Sequence, residues 1–397
     1  MDQKSDCVIH VHDRIADIAP AAWDACANPD PARRNPFLSH AFLLALEDSG
    51  CVAARTGWMP QHLAIQRPGG ALAGAMPLYL KSHSRGEYVF DYGWADAFER
   101  AGGRYYPKLQ ASIPFTPVTG RRLLVPAGPE QASLEATLLQ GAKELVRLHE
   151  ASSLHLTFLT EEEWQRHCGP PFLQRTDQQF HWVNHGYKSF DDFLGALASR
   201  KRKALKKERK EGLSTGVTIE RVRGADMSAA HWDAFFAFYQ DTGHRKWGTP
   251  YLNRRFFSLI GEAMRDDILL ILCRRDGRMI AGALNFIGGD TLYGRYWGCL
   301  EHHPFLHFET CYYQAIDYAI EHGLARVEAG AQGAHKLARG YVPQLTHSLH
   351  YLAHPGLRRA VGQFLQQERE AVAEEARLLT EMAPFRKSGD AEDSGEA

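Results

Sequence analysis

The sequence predicts an α/β protein in which one unit of strands and helices occurs twice and a helix follows. Three observations support this prediction. The length of 397 residues suits two compact domains of ordinary size. Two hairpin-like strand pairs recur at a constant spacing, and each is followed by a helical pattern and a further strand. A hydrophobic fraction of 44% indicates that most of the chain folds.

The two strand pairs are the clearest local signals. The first lies at 61–81, where apolar runs flank the turn Pro68-Gly69-Gly70, and the second lies at 268–289 around Asp276-Gly277. Their similarity predicts a duplicated α/β unit. At an offset of 208 residues the following positions coincide: Arg67 with Arg275, Ala73-Gly74-Ala75 with Ala281-Gly282-Ala283, and Tyr88 with Tyr296.

The domain limits follow from these patterns. We predict an N-terminal domain over residues 1–185 and a C-terminal domain over 186–355, the second carrying the active site. After Pro355, apolar spacing predicts a helix over 356–383. The remaining residues, 384–397, are polar and acidic and are expected to be disordered.

Composition limits the classes of function. The 46 Lys and Arg residues balance 47 Asp and Glu residues, so any contact with nucleic acid or membrane must be local. Seven scattered cysteines without a C-x-x-C pair indicate reduced thiols. The N-terminus has acids where a signal peptide needs a basic run, and no window reaches the roughly 18 apolar residues of a membrane span. We therefore expect a cytoplasmic protein.

A basic segment, Ser199–Gly212, contains eight Lys and Arg residues among fourteen. A capping box at Ser189 and the stop signal at Gly212 predict one helix from 190 to 211. On that helix seven cations share one face, which is either a solvated surface or a polyanion contact. The eighth cation, Lys201, would point into the apolar face, so we expect it to bind substrate.

Two further motifs do not carry a function. Gly212-Leu213-Ser214-Thr215-Gly216 matches a hydrolase nucleophile elbow, but a helix precedes it and a strand follows, the reverse of what the elbow requires. The segment 301–309 contains three histidines and two glutamates. Pro304 disrupts the helical spacing that a metal site would need, so no metal site is predicted.

The segment 327–343 is the strongest candidate for a site. A predicted strand ends in Glu328, and Gln332, His335, Lys336 and Arg339 follow within eleven positions. This stretch is too polar for a core and too rich in glycine for an ordinary helix. The order of elements is that of the acyltransferase fold called GNAT, and the pattern alone leaves another α/β arrangement as the alternative. In a GNAT fold the strands around 293–299 and 325–329 separate to admit the acyl donor. Glu328, Lys336 and Arg339 would then lie beside the cleft.

Several longer segments carry a resemblance to a known family. They resemble the FemAB-like predicted N-acyltransferases of the GNAT superfamily, relatives of the Fem-type aminoacyltransferases of peptidoglycan synthesis, over roughly residues 35–370. The resemblance implies a tandem GNAT fold and transfer of an acyl or aminoacyl group to an amine, with a cell-wall precursor as one acceptor class. The segments are FDYGWADAF, YYPKLQASIPFTPVTGRRLL, QFHWVNHGY, SFDDFLGALASRKRKALKKERK, KWGTPYL, LHFETCYYQAIDYAIEHGL and EAGAQGAHKLARGY.

The acyl donor stays open at this point. Fem-type enzymes use aminoacyl-tRNA, which would give the cations at 200–210 a tRNA contact. Coenzyme A enzymes of the GNAT fold hold the pyrophosphate on a glycine-containing loop, and the corresponding segment 301–307 has no glycine. No cofactor is firmly assigned; acyl-CoA and aminoacyl-tRNA are the alternatives, and the missing glycine favours aminoacyl-tRNA or another activated acyl group.

Acyl transfer to an amine requires a base, an oxyanion site and a proton for the leaving group. We expect Glu328 to be the base, directly or through water, with His335 or Glu309 as second choices. Lys336 and Arg339 would hold a phosphate or carboxylate. Backbone amides near Trp297 and Gly298 would meet the oxyanion. The other expected substrate contacts are Lys201, Trp247, Arg295, Tyr296 and Gln332.

Two alternatives remain at this stage. Residues 328–340 could form a structural turn closed by an ion pair between Glu328 and Arg339. The protein could also be a non-catalytic module that recognises a cell-wall precursor or RNA through the basic helix at 200–210.

Overall fold

The first part of the chain alternates short strands with helices in a computed structural model, which describes residues 7–214, 216–246, 250–330 and 333–386. Side-chain caps fix several helix starts, as at Ser39, whose Oγ accepts from the amide of Phe42. The elements are β1 (Val8–His12), α1 (Pro20–Ala27), α2 (His40–Asp48), β2 (Trp58–Pro60), β3 (His62–Gln66), β4 (Leu72–Met76), β5 (Tyr79–Lys81), α3 (Tyr92–Arg100), β6 (Lys108–Ala111), α4 (Gln131–Leu148), β7 (Ser153–Leu159) and α5 (Glu161–His167).

The second part has longer strands and ends in a long helix. Its elements are β8 (Leu173–Val183), α6 (Phe190–Ala196), α7 (Ser199–Gly212), β9 (Thr218–Arg223), α8 (Ala229–Lys246), α9 (Arg254–Ala263), β10 (Ile268–Arg275), β11 (Arg278–Ile287), β12 (Thr291–Cys299), α10 (Leu306–Phe308), a π-helical turn (Glu309–Tyr313), α11 (Gln314–Glu321), β13 (Arg326–Glu328), a 3₁₀ turn (Ala334–Arg339), β14 (Val342–Leu352) and α12 (Pro355–Glu381).

The chain divides into two compact units. Unit 1 comprises residues 1–177, 251–263 and 345–373, and unit 2 comprises 178–250, 264–344 and 374–397. The predicted boundary at 185/186 therefore lies close to the first division, but α9 groups with unit 1. The ring of Phe256 in α9 packs edge-on against Phe42 of α2, with centroids 5.8 Å apart. Such a long-range contact leaves no periodic signal in the sequence.

Unit 1 contains two groups of paired strands. Strands β1, β3 and β4 form an antiparallel sheet, and β3 and β4 are the hairpin predicted around Gly69-Gly70. In the second group, β2 pairs with β5, β5 with β6, β6 with β7 and β7 with β14. Among these described pairs, β6–β7 alone is parallel, because α4 connects the two strands as a crossover. Leucines of α4 join the core on these strands.

Unit 2 has one run of paired strands in the order β8, β13, β12, β11, β10, β9. The hairpin β10–β11 turns at Asp276-Gly277, as predicted. Strands β12 and β13 are parallel and are connected through α10, the π-helical turn and α11. Ile316, Ala315 and Ala319 of α11 bury an apolar face in the core with Leu292 and Val327 of these strands.

The predicted single helix at 190–211 is wrong, because the chain forms α6 and α7 with a break between them. Ser189 caps α6 as expected, accepting a hydrogen bond from the amide of Asp192. At Leu197 the backbone is extended (φ −84°, ψ 151°), and this residue forms a β-bridge with Phe385. The break resets the helical phase, so the faces of α7 differ from those of one continuous helix.

Candidate active site

The two parallel strands of unit 2 separate at Glu328. Only three residues of each strand pair, 291–293 with 326–328, and Glu328 is the last residue of β13. Strand β12 continues to Cys299 along β11, with a bulge at Arg295, since Leu284 opposes Tyr296 while Asn285 opposes Gly294. The fork predicted for the cleft is therefore present, and an acidic side chain stands at it.

Glu328 forms a buried ion pair with Arg295 at this fork. Arg295 Nη2 donates to Glu328 Oε2 at 3.2 Å, and the two side chains are 2% and 6% exposed. On the other side of β13, Glu328 opposes His181 of β8. Burial lowers the pKa of His181, and the positive charge of Arg295 lowers it further although Glu328 opposes the shift. A neutral imidazole thus lies beside the ion pair, and His181 is a site residue that no sequence motif predicted.

Lys336 is buried in the 3₁₀ turn Ala334–Arg339. Its side chain is almost inaccessible, and Nζ donates to the carbonyl oxygen of Gly330 at 3.0 Å. Burial lowers the pKa of Lys336 to about 8, with a further contribution from the positive charge of Arg295. The amine can therefore gain or lose a proton near neutral pH, which is unusual for lysine.

We expect Lys336→Met to stabilise the protein at pH 7 and to lose this advantage as the pH rises to 10.5. The folded-state pKa of about 8 lies below the usual 10.5, so between these values the unfolded chain holds a proton that the folded chain lacks. Wild-type stability therefore decreases as the pH falls through this window, by up to about 3 kcal/mol at 1.36 kcal/mol per pH unit. Denaturant unfolding of both proteins at several pH values measures the difference. An equal gap at pH 7 and pH 10.5 would contradict it.

Arg339 is engaged by Glu208 of α7. Arg339 Nη2 donates to Glu208 Oε2 at 2.8 Å, and Nη1 donates to the carbonyl oxygen of His335 at 2.7 Å. The guanidinium carbon lies 3.4 Å from the ring centroid of Phe308. The ion pair between Glu328 and Arg339, considered above as a structural alternative, is not formed: each residue has a different partner.

The two second-choice bases occupy different environments. His335 is exposed, and its Nε2 lies 2.9 Å from the hydroxyl of Tyr312. Glu309 is fully buried in the π-helical turn, where it contacts Arg209 at 3.3 Å and accepts from Gln314 at 2.7 Å. Burial raises the pKa of Glu309 although Arg209 opposes the shift. Its described polar contacts belong to the packing of α7 against α11 and do not include Glu328.

The remaining predicted contacts have mixed outcomes. Lys201 is exposed, so its predicted inward orientation is wrong; the reason is the break before α7, which places Leu205 and Gly212 on the buried side instead. Tyr296 packs edge-on against Tyr239 at 5.2 Å. Trp247 and Gln332 lie outside the described residues. At Gly298, a Cβ would lie 2.1 Å from the carbonyl oxygen of Phe238, so α8 packs directly on this part of β12.

A cavity of about 260 Å³ opens between the end of β12 and α10. Thr242 Oγ1 is buried there without a hydrogen-bond partner among the described residues. His307 connects the cavity to the 3₁₀ turn, since its ring lies 5.3 Å from Trp297 and 6.4 Å from His335. The histidine-rich segment thus lines a cavity, and within the described ranges no three His, Cys, Asp or Glu side chains converge as metal ligands. The cavity is lined by Thr242, Trp297, Cys299, Glu301, His302, His303, Leu306 and His307.

Comparison with solved structures confirms the predicted α/β fold, which the chain shares with FemX. The crystal structure of FemX is similar with a TM-score of 0.55 at 15% identity, over 87% of this chain and 98% of FemX. The C-terminal domain (DUF2156) of a putative lysylphosphatidylglycerol synthetase from Agrobacterium fabrum has a TM-score of 0.52 at 8% identity, over 86% and 96% of the two chains. A tandem GNAT protein of clavulanic acid biosynthesis has a TM-score of 0.48 at 13% identity, over 88% and 99%.

The chain belongs to the FemAB-like family. The family model, described as peptidoglycan biosynthesis/recognition, matches residues 14–387. The predicted family is thereby confirmed. No curated protein sequence matches the chain. In the described part of the chain, no helix combines the length and apolar character that crossing a membrane requires.

Proposed function

We propose that this protein transfers an activated acyl or aminoacyl group to an amine acceptor. The observation that carries the proposal is the position of Glu328, a buried carboxylate at the fork of β12 and β13. Arg295 neutralises it at 3.2 Å, and Lys336 lies buried in the turn that follows β13. Membership of a family linked to peptidoglycan biosynthesis supports this class of reaction.

The reaction uses these groups in sequence. Glu328 takes a proton from the acceptor amine, directly or through water, as the amine nitrogen attacks the acyl carbon. Backbone N–H groups of β12 beyond Tyr293, where its pairing with β13 ends, stabilise the tetrahedral oxyanion. When that intermediate collapses, Glu328 returns the proton to the leaving group. The C–N bond forms and the bond to the leaving group breaks, so protons and electron pairs balance.

Lys336 is the proposed contact for a phosphate or carboxylate of the substrate. Lys336 and Arg339 were both expected to hold a phosphate or carboxylate, but Arg339 already bonds Glu208 and packs on Phe308. Among the described residues, Lys336 Nζ has one polar contact, the carbonyl of Gly330. A lysine ammonium has three N–H donors, so two remain for a ligand.

The cavity beside Trp297 suits the acyl group. Its volume of about 260 Å³ is of the size of an amino-acid side chain with its carbonyl, and Trp297 and Leu306 supply apolar walls. The buried hydroxyl of Thr242 can pair with a polar atom of that group. The proposed acyl group therefore places a compact part with one polar atom in this cavity.

Mass spectrometry of small molecules that co-purify with the protein tests the substrate class directly. Transfer assays would follow, with aminoacyl-tRNA and acyl-CoA as donors and amine-containing cell-wall precursors as acceptors. Formation of an amide product supports the proposal. Binding of an acceptor with no turnover for either donor would favour the non-catalytic binding module.

A second candidate function, polyanion binding, is favoured by the exposed side of α7. Six of its cations are exposed, and Arg209 turns inward to pair with Asp317. Only Lys206 of the six has an ion pair among the described residues, with Asp191 at 3.2 Å. A tRNA donor could use this surface. The six exposed cations are Arg200, Lys201, Lys203, Lys206, Lys207 and Lys210.

We expect the Lys203→Gln, Lys207→Gln, Lys210→Gln triple variant to weaken tRNA binding and reduce its salt dependence. Three lost phosphate contacts should lower the slope of log K against log salt concentration by about two to three. Filter binding with unfractionated tRNA at several salt concentrations measures the slope. A matched triple variant at exposed cations elsewhere, Lys188, Arg265 and Arg359, should bind as the wild type does. Equal slopes for all three proteins would identify the basic face as a solvated surface.

A further inference from the structure

One acidic side chain connects the basic helix α7 to the proposed site. Glu208 lies among the lysines of α7, and its Oε2 accepts two hydrogen bonds: 2.6 Å from the hydroxyl of Tyr313 and 2.8 Å from Nη2 of Arg339. The side chains of Arg339 and Glu208 are 7% and 21% exposed. Hydrogen bonds between charged groups in such partly buried positions are the strong ones.

Arg339 links Glu208 to the 3₁₀ turn Ala334–Arg339. Its Nη1 donates to the carbonyl oxygen of His335, which caps the turn from within. Its guanidinium carbon lies 3.4 Å from the ring centroid of Phe308, within the range of a cation–π contact. Lys336 lies between His335 and Arg339 in sequence. The hydrogen bond from Arg339 to His335 therefore closes the part of the turn that contains Lys336, whose amine is proposed to bind the substrate.

The backbone of this turn is closed by short-range hydrogen bonds, in which the amides of Lys336 and Gly340 donate to the carbonyls of Gly333 and Leu337 at 2.9 and 3.0 Å. It follows a glycine-rich segment and ends at Gly340, whose φ of +85° only glycine adopts easily. Among the described residues, Glu208 is the only acid that forms an ion pair with Arg339. Without that carboxylate, Arg339 would be a nearly buried cation with no counter-charge, and it would have to turn towards water.

We propose that Glu208 is a positioning residue: it fixes Arg339 and thereby holds the turn Ala334–Arg339 in the form that buries Lys336. The inference rests on the proposed function only for the role of Lys336 in transfer. Helix α7 then has two separate roles. Its exposed cations face outward, and Glu208, which faces inward, positions Arg339.

The test compares Glu208→Gln with Glu211→Gln, its neighbour on the same helix, which forms no ion pair in the described structure. Hydrogen–deuterium exchange of the amides at 333–340 should be at least tenfold faster in E208Q and unchanged in E211Q. Titration of Lys336 by NMR after reductive ¹³C-methylation should show its pKa moving from about 8 towards 10.5 in E208Q, because a loosened turn exposes the amine. A contact that contributed only to stability would lower the free energy of unfolding without moving this titration.

A double-mutant cycle with Arg339→Met separates the pair from its surroundings. If Glu208 acts through Arg339, exchange in the double variant is no faster than in either single variant, whereas additive effects would overturn the inference. Glu208→Asp, which keeps the charge but shortens the side chain, is the second variant if E208Q does not fold, and it should show the same accelerated exchange. Unchanged exchange in every variant rejects the positioning role and leaves the proposed function standing. Faster exchange without loss of transfer rejects the role of Lys336 in transfer.

Discussion

Glu328→Gln should lower the rate of acyl transfer about 10²- to 10⁴-fold, the usual contribution of a general base. Glutamine keeps the size of the side chain and still accepts a hydrogen bond from Arg295, but it cannot take the proton of the attacking amine. Because substrate binding does not require this proton transfer, the loss should appear in kcat more than in KM. Steady-state kinetics with the donor and acceptor found by mass spectrometry measure both.

Glu220→Gln provides the matched control. Glu220 is also a strand residue of unit 2 paired with an arginine, Arg274, at 2.6 Å, but it lies on β9 and is partly exposed. We expect transfer by this variant to stay within about twofold of the wild type. If folded E328Q retained full activity, Glu328 would be a structural partner of Arg295, and the base would have to be sought at His335 or Glu309.

The fold could be predicted because its signals are local. The turns at Gly69-Gly70 and Asp276-Gly277 mark two hairpins, and the helical spacing before β7 and β13 marks two crossover helices. The position of Glu328 at the fork followed from the order of elements. These features depend on residues close together in sequence, and period and turn chemistry report them directly.

The parts of the site that were missed depend on distant contacts. The break at Leu197 is stabilised by a β-bridge to Phe385, which is far away in sequence. The residues within 190–211 therefore do not predict the break. The prediction therefore placed Lys201 on the apolar face, which is wrong. It gave Glu208 no role, because that residue is one of two acids in the basic segment Ser199–Gly212. The available signal was the position of Glu208, an acid on the same side of α7 as the apolar Leu205 and with no cation three or four residues away to pair with it.

Unit 1 contains a buried group of ionisable side chains that its sequence pattern does not suggest. Lys81, Lys108, His155 and His350 lie on four neighbouring strands, β5, β6, β7 and β14, and all are almost completely buried. Lys108 Nζ contacts Glu87 at 2.7 Å and also bonds Asp91. Strand positions of this kind normally hold aliphatic residues, so each lysine must be explained by its partners.

The two lysines of this group differ in their partners. Burial alone would lower the pKa of Lys108, but Glu87 and Asp91 hold it above its usual value. Lys81 lies 3.4 Å from the ring centroid of Trp58 and 3.7 Å from Glu87, and its hydrogen bond to the carbonyl of Arg85 is 3.3 Å long. Burial, which Glu87 only partly offsets, lowers the pKa of Lys81 to about 6. At neutral pH, Lys108 is therefore the cation of the group and Lys81 is a neutral amine.

Replacing these two lysines by methionine should change stability in opposite directions. Lys108→Met leaves Glu87 and Asp91 buried without their cation and should lower the free energy of unfolding by about 3–5 kcal/mol. Lys81→Met should raise it by about 1–4 kcal/mol at pH 7, because folding no longer has to remove a proton from a buried amine. The folded-state pKa of Lys81 lies near 6 and the unfolded one near 10.5, so wild-type stability decreases as the pH falls through that window. The advantage of K81M should therefore vanish above pH 10.5.

Denaturant unfolding at pH 7 and pH 10.5 measures both effects. Lys143→Met on α4 is the control, which is expected to stay within about 0.5 kcal/mol of the wild type. Destabilisation by both K81M and K108M would show that Lys81 is charged in the folded state and that Lys81, Lys108, Glu87 and Asp91 form one network of four charges.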